Sequence, residues 1–208
     1  MPRSEADGGG RAWLERDGKL ARVVAGSTER WTIVYEAGPL GVAEGGAVYL
    51  QVPPFWGWSS PQVRAPKAPG YTTVSTDAGG VELEAAAVDN GLLQVTIRGR
   101  TLAAHERVRL VYGAGPAGAR ADRYAEHRSP LWIAVDGDGD GVRRTIADSP
   151  TIDVEPGPAA RLLLTLPSSA RVGETVLVRL AALDALGNDG CRVDGRIVLE
   201  QPPSGLEV

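Results

Sequence analysis

Two short stretches carry the residue types that could do chemistry. The first is Asp136, Asp138 and Asp140, at every second position with Gly137, Gly139 and Gly141 between them. Hard cations such as calcium take several carboxylate and carbonyl oxygens, and glycine lets a loop close tightly around them. The D-x-D-x-D-G start matches the first half of a calcium loop. The second half is missing, because the position that needs a bidentate acid is Ala147, and Asp148 comes one residue late. Asp-Gly is also a strong hairpin signal, so a plain turn is the preferred reading and calcium the alternative. The second stretch is Phe55, Trp56 and Trp58 in a single loop. Exposed rings there could stack on a sugar or fill a partner's pocket. Large aromatic rings are costly to expose, so a plug closing one end of the fold is preferred over a ligand site.

Other candidates are weaker. His105-Glu106 and Glu126-His127 are neighbouring acid–imidazole pairs, and neighbours in a strand point to opposite faces, so neither is a natural chelate. The glycine-rich run 113–118 follows a strand but lacks the lysine and helix of a phosphate loop. Ser129, Ser149 and Ser168 lack a G-x-S-x-G context. Cys191 has no histidine close in sequence and reads as a strand-edge thiol. No catalytic residue is assigned, and the chain is expected not to be an enzyme by itself.

These stretches must be held by strands. The chain has 208 residues, 43% hydrophobic, with Gly 27 and Pro 15, which favours short strands and turns over long helices. Alternation is clear where Trp31, Ile33 and Tyr35 face one way and Thr32, Val34 and Glu36 the other. It recurs in Val48, Leu50 and Val52; in Val81, Leu83, Ala85 and Ala87; in Leu93, Val95 and Ile97; and in Leu131, Ile133 and Val135. Asn90-Gly91 marks a hairpin, and residues 53–70 form a proline-rich loop with no place in a central strand. No segment sustains a 3.6-residue apolar period. The expected fold is all-β: an antiparallel β-sandwich over residues 19–155, after a flexible tail over 1–18. The Pro156-Gly157-Pro158 joint leads into a partial immunoglobulin-like β-sandwich over 156–208. There Leu162, Leu164 and Leu166 should face inward together with Val176, Val178, Leu180 and Ala182, and residues 193–200 should return as a strand. About half an immunoglobulin-like domain is present, so the chain is expected to be a fragment of a longer protein.

The net charge of −4 argues against nucleic acid, which would want a basic face. No window approaches the ~20 apolar residues of a membrane span. No apolar signal-peptide core is visible, which makes the cytoplasm the default location. A single cysteine allows no internal disulfide.

Several segments fall into a familiar order: AGSTERWTIVYEAGPLGVAEGGAVYLQVP, FWGWSSPQ, VRLVYGAGPAGARADRY, LWIAVDGDGDGV and LLLTLPSSARVGETVLVRLAALDALGN. Over roughly residues 20–200 the chain resembles the N-terminal β-sandwich region of an uncharacterised bacterial family that carries a downstream hydrolase domain of the PHP (polymerase and histidinol phosphatase) type. Its last part resembles bacterial immunoglobulin-like repeats. The PHP chemistry needs clustered histidines, and this chain has only His105 and His127, so none of that family's catalytic residues carries over. The resemblance implies a non-catalytic accessory module without a cofactor. Its partner would be the downstream domain of the same protein or a second copy of the chain. The alternative is a carbohydrate- or ligand-binding module using the loop 55–58.

Overall fold

The computed structural model describes residues 4–15 and 21–195. The chain divides into two compact units, Met1–Pro156 and Gly157–Val208. Among the described residues there is no helix, and so none long and apolar enough to cross a membrane. The strands are, in order, β1 (Arg11–Leu14), β2 (Arg22–Val24), β3 (Thr28–Glu29), β4 (Trp31–Glu36), β5 (Ala47–Gln51), β6 (Thr72–Ser75), β7 (Glu82–Asp89) and β8 (Leu92–Arg98). They continue with β9 (Arg107–Tyr112), β10 (Ala119–Arg120), β11 (Glu126–Pro130), β12 (Trp132–Asp136), β13 (Arg144–Thr145), β14 (Thr151–Glu155), β15 (Arg161–Thr165) and β16 (Arg179–Leu183).

In the first unit, a four-stranded sheet β1-β4-β9-β6 and a five-stranded sheet β13-β12-β5-β8-β7 share one apolar core. The alternating residues supply it. Trp31, Ile33 and Tyr35 on β4 and Val108, Leu110 and Tyr112 on β9 come from one sheet. Val48 and Leu50 on β5, Leu93, Val95 and Ile97 on β8, and Ile133 and Val135 on β12 come from the other. A period of two sends every second side chain to this interior, which makes the unit a β-sandwich. A third sheet, β11-β14-β2, adds Ile152, Val154 and Val23 to the core. Its β14–β2 pairing is parallel, the one exception among these ladders to the expected antiparallel arrangement. The proline-rich segment is a loop between β5 and β6, with a bridge from Gln62 to Tyr71.

The expectation of a flexible tail over 1–18 fails for residues 4–15. Residues 11–14 form an edge strand on β4, and Gly8 N–H donates to the Val135 carbonyl at 3.1 Å. Tyr35, buried in the core, donates its hydroxyl to the Gly9 carbonyl at 2.9 Å. The three glycines therefore serve close backbone approach instead of slackness. The guanidinium groups of Arg11 and Arg107 each lie 5.4 Å from the Trp13 ring centre. Both arginines also pair with Glu36, at 2.7 and 2.8 Å. The Arg107 hydrogen bond, joined by that of Arg11, holds the Glu36 carboxyl below the ordinary carboxylate range against the opposing effect of desolvation.

In the second unit β15 and β16 form an antiparallel ribbon, with Leu162 opposite Ala182 and Leu164 opposite Leu180. Leu162, Leu164 and Leu166 are exposed, as are Leu177 and Val178. Residues 176 and 178 precede β16 instead of belonging to it. The inward face expected for these positions is thus not formed among the described residues. The expected return strand over 193–200 falls mostly on residues outside those described.

Candidate functional site

The loop after β5 divides its three aromatic residues between two tasks. Trp58 is 7% exposed and belongs to the core; its ring lies 5.4 Å from Trp31, which stacks on Tyr112 at 5.5 Å. Phe55 and Trp56 are 69% and 60% exposed. The plug and the exposed surface are therefore different residues of one loop.

The backbone shows how the exposed pair is held. Trp56 has φ of 64°, a left-handed conformation that non-glycine residues seldom adopt. The Gly57 N–H donates to the Phe55 carbonyl at 2.8 Å, closing a three-residue turn of the rare, strained positive-φ form around Trp56. The segment that follows β9 fixes this turn, from β10 to Arg123. Arg123 N–H donates to the Trp56 carbonyl at 3.1 Å, and Arg120 Nε donates to the Gly57 carbonyl at 3.2 Å. Ser59 N–H donates to the Arg120 carbonyl at 3.1 Å, while Arg120 N–H donates to Ser59 Oγ at 2.9 Å. The buried Tyr112 hydroxyl donates to the Ser59 carbonyl. Strain of this kind persists only where surrounding structure over-determines it.

Tyr124 completes the exposed cluster, and sequence reading missed it. Its ring meets Trp56 edge-on at 5.5 Å and 74°, and Arg123 lies 5.4 Å over it. Asp122 positions this corner. Burial pushes its carboxyl up, and the N–H groups of Tyr124 and Arg123 pull it back down. Phe55 meets Trp56 at 6.4 Å and 62°. The rings are mutually tilted, so together they form a protruding wedge and not a flat platform. The only signal that could have found Tyr124 was the ARADRY segment, whose turn residues do not announce a long-range ring contact.

The acidic turn closes the hairpin between β12 and β13. Asp136 is buried; its Oδ1 accepts from Gly139 N–H at 2.8 Å and its Oδ2 from Gly141 N–H at 2.9 Å. Asp138 and Asp140 are exposed and accept from Asp140 N–H and Val142 N–H. The three acids of the calcium alternative do not form one group. The acids whose oxygens lie within 4.8 Å of one another are Asp7, Asp136 and Asp138, with Asp140 outside the group. Asp7 comes from the N-terminal segment and accepts from Gly137 N–H at 2.9 Å. At Gly137 a Cβ would stand 2.4 Å from the Ala6 carbonyl oxygen, so only glycine admits this crossing. These carboxylates are engaged in closing backbone amides, the work of Asx turns. Adding millimolar calcium, or a chelator, is accordingly expected to leave the melting temperature unchanged. A rise with calcium would assign an ion to Asp7, Asp136 and Asp138, because a ligand bound only by the folded state must stabilise it.

The acid–imidazole pairs stay apart. His105 Nδ1 lies 3.6 Å from Glu36, whereas its neighbour Glu106 grips Arg100 through both oxygens at 2.7 Å. His127 is almost fully exposed, 3.6 Å from Asp153. Cys191 donates weakly to the Asn188 carbonyl at 3.5 Å.

No family model matches the chain, and no curated protein matches it. Among solved structures, a cohesin module from a Clostridium perfringens family 33 glycoside hydrolase is similar over 72% of this chain and 98% of its own length. It is 12% identical with a TM-score of 0.37.

Proposed function

We propose that the chain is a non-catalytic interaction module whose working surface is the wedge of Phe55, Trp56 and Tyr124. The observation that supports this reading most is Trp56 itself, a large ring held exposed on a strained turn by hydrogen bonds from Arg120 and Arg123. Folding alone would favour burying that ring or relaxing that turn, as Trp58 two residues on is buried. Exposed aromatic anchors on a rigid frame are what protein interfaces use, because little entropy remains to be lost on docking. The tilt between the rings disfavours sugar stacking at this loop, where near-parallel faces would serve better. The partner is read as another domain of a larger bacterial protein carrying a PHP-type hydrolase. That part rests on the resemblance of the five quoted segments.

The test is site-specific photo-crosslinking in cells, with p-benzoylphenylalanine placed at position 56 of the full-length protein and, as a control, at the exposed Asp140. A discrete adduct from position 56 only is expected. Mass spectrometry of that adduct separates a neighbouring domain, a second copy and an unrelated polypeptide. Equal adducts from both positions, or none from position 56, would overturn the reading.

A further inference from the structure

The longest sheet edge of the first unit is open. β7 is an outermost strand of the five-stranded sheet and runs for 8 residues. The other edges of this unit are shorter or irregular. β3, β10 and β13 have 2 residues each, β2 has 3, β1 and β6 have 4, and β11 is bulged between Glu126 and Ser129. The bonding of β8 shows which groups of β7 are free. Gly45 N–H donates to the Ile97 carbonyl, and Ile97 N–H donates to the Gly46 carbonyl, both at 2.9 Å. Bonding alternates along an antiparallel strand, so the odd-numbered residues of β8 turn to β5 and the even-numbered ones to β7. The register then ties Glu82, Glu84 and Ala86 to Arg98, Thr96 and Gln94. The N–H and C=O groups of Leu83, Ala85 and Ala87 point away from the sheet, and among the described residues no group meets them.

The side chains leave this edge approachable and give it a sign. β7 holds neither the lysine nor the proline with which edges are commonly blocked. Its small central residues shield no backbone, and Ala86, Ala87 and Val88 are exposed although apolar. Glu82 and Glu84 share the outer face and Asp89 ends the strand; all three are exposed. Arg98, paired with Glu84 at 2.8 Å, is the only cation on β8 to answer them. Like charges set opposite each other across strands are destabilising and opposite charges favourable. The acids therefore keep the β7 edge of a second copy away and suit a strand that carries lysine or arginine. An extended peptide adds to an open edge through main-chain hydrogen bonds, while its alternate side chains supply the selectivity.

We infer that the free edge of β7 accepts an extended segment of a partner protein as an added strand, with basic residues facing Glu82 and Glu84 and apolar residues beside Leu83 and Ala85.

The test is fluorescence anisotropy of the whole chain with labelled octapeptides in which valine alternates with lysine, glutamine or glutamate. The lysine peptide is expected to bind at least ten-fold more tightly than the glutamate peptide. Hydrogen exchange read by NMR then reports the geometry. The Leu83, Ala85 and Ala87 amides should gain protection, while those of Glu84 and Ala86, already bonded to β8, should not. Ala85→Pro removes an outward N–H and no bond to β8, so it should abolish binding with the melting temperature nearly kept. Where the proline disturbs the fold, Glu82→Gln combined with Glu84→Gln decides, and should weaken the lysine peptide ten-fold or more. Trp56→Ala should leave peptide binding unchanged, which separates this edge from the wedge. The inference is overturned if the lysine peptide does not bind at millimolar concentration, or if it binds without protecting Leu83, Ala85 and Ala87. It is overturned equally if a folded Ala85→Pro chain, or the double glutamine variant, binds that peptide as well as the unaltered chain does.

Discussion

Trp58→Ala is expected to destabilise the first unit by about 3–5 kcal/mol, the range for truncating a large buried aromatic side chain. Trp58 is 7% exposed, packs on Trp31 at 5.4 Å, and sits beside Ser59, which ties the loop to Arg120 and Tyr112. Its loss opens a cavity under the loop and loosens the turn that presents Trp56. Trp56→Ala makes the contrast, since that ring is 60% exposed. The substitution removes little buried area and leaves the turn's backbone hydrogen bonds in place, so a stability change within about 0.5 kcal/mol is expected. Urea denaturation followed by far-ultraviolet circular dichroism measures both without depending on the altered fluorophore. Similar losses for the two variants would mean that the loop is a plug throughout, and the interaction reading would lose its support.

The sandwich was legible because its core strands alternate without interruption. Trp31, Ile33 and Tyr35 could only be one face of a strand, and Asn90-Gly91 could only be a turn between two of them. Less legible was whatever depends on contacts far apart in sequence. The N-terminal glycines read as slack because local composition cannot show that Tyr35 and Val135 wait to receive them. Asp7 joined the acidic turn across 130 residues of chain, a pairing no spacing rule could supply. The aromatic loop was singled out by residue type, but alternation does not operate in loops, so nothing local separated the buried Trp58 from the exposed Trp56.

Acid is expected to weaken the turn of the second unit through one carboxylate, Asp184. This residue is 2% exposed. Burial would raise its pKa, but that effect is outweighed by hydrogen bonds from the Asn188 side chain and from the N–H groups of Gly157, Asn188 and Leu186, which together hold it at about 2. In the unfolded chain the same group titrates near 3.8, so between these values the unfolded state binds more protons than the folded one. Its contribution to stability is therefore fully present above about pH 4 and is lost as pH falls through about 2. A carboxyl held that far down contributes about 2 kcal/mol. Asp184→Ala should remove this contribution at neutral pH and leave the donors of Gly157, Leu186 and Asn188 without their acceptor, at a cost of about 2–3 kcal/mol. Fluorescence would miss the change, because every Trp and Tyr lies before residue 157. Amide hydrogen exchange at Leu186 and Asn188 reports it directly: protection should fall in the variant at pH 7 and, in the unaltered protein, only as the carboxyl protonates. Protection that is equally low in both proteins at neutral pH would show that the Asp184 carboxylate does not hold the turn.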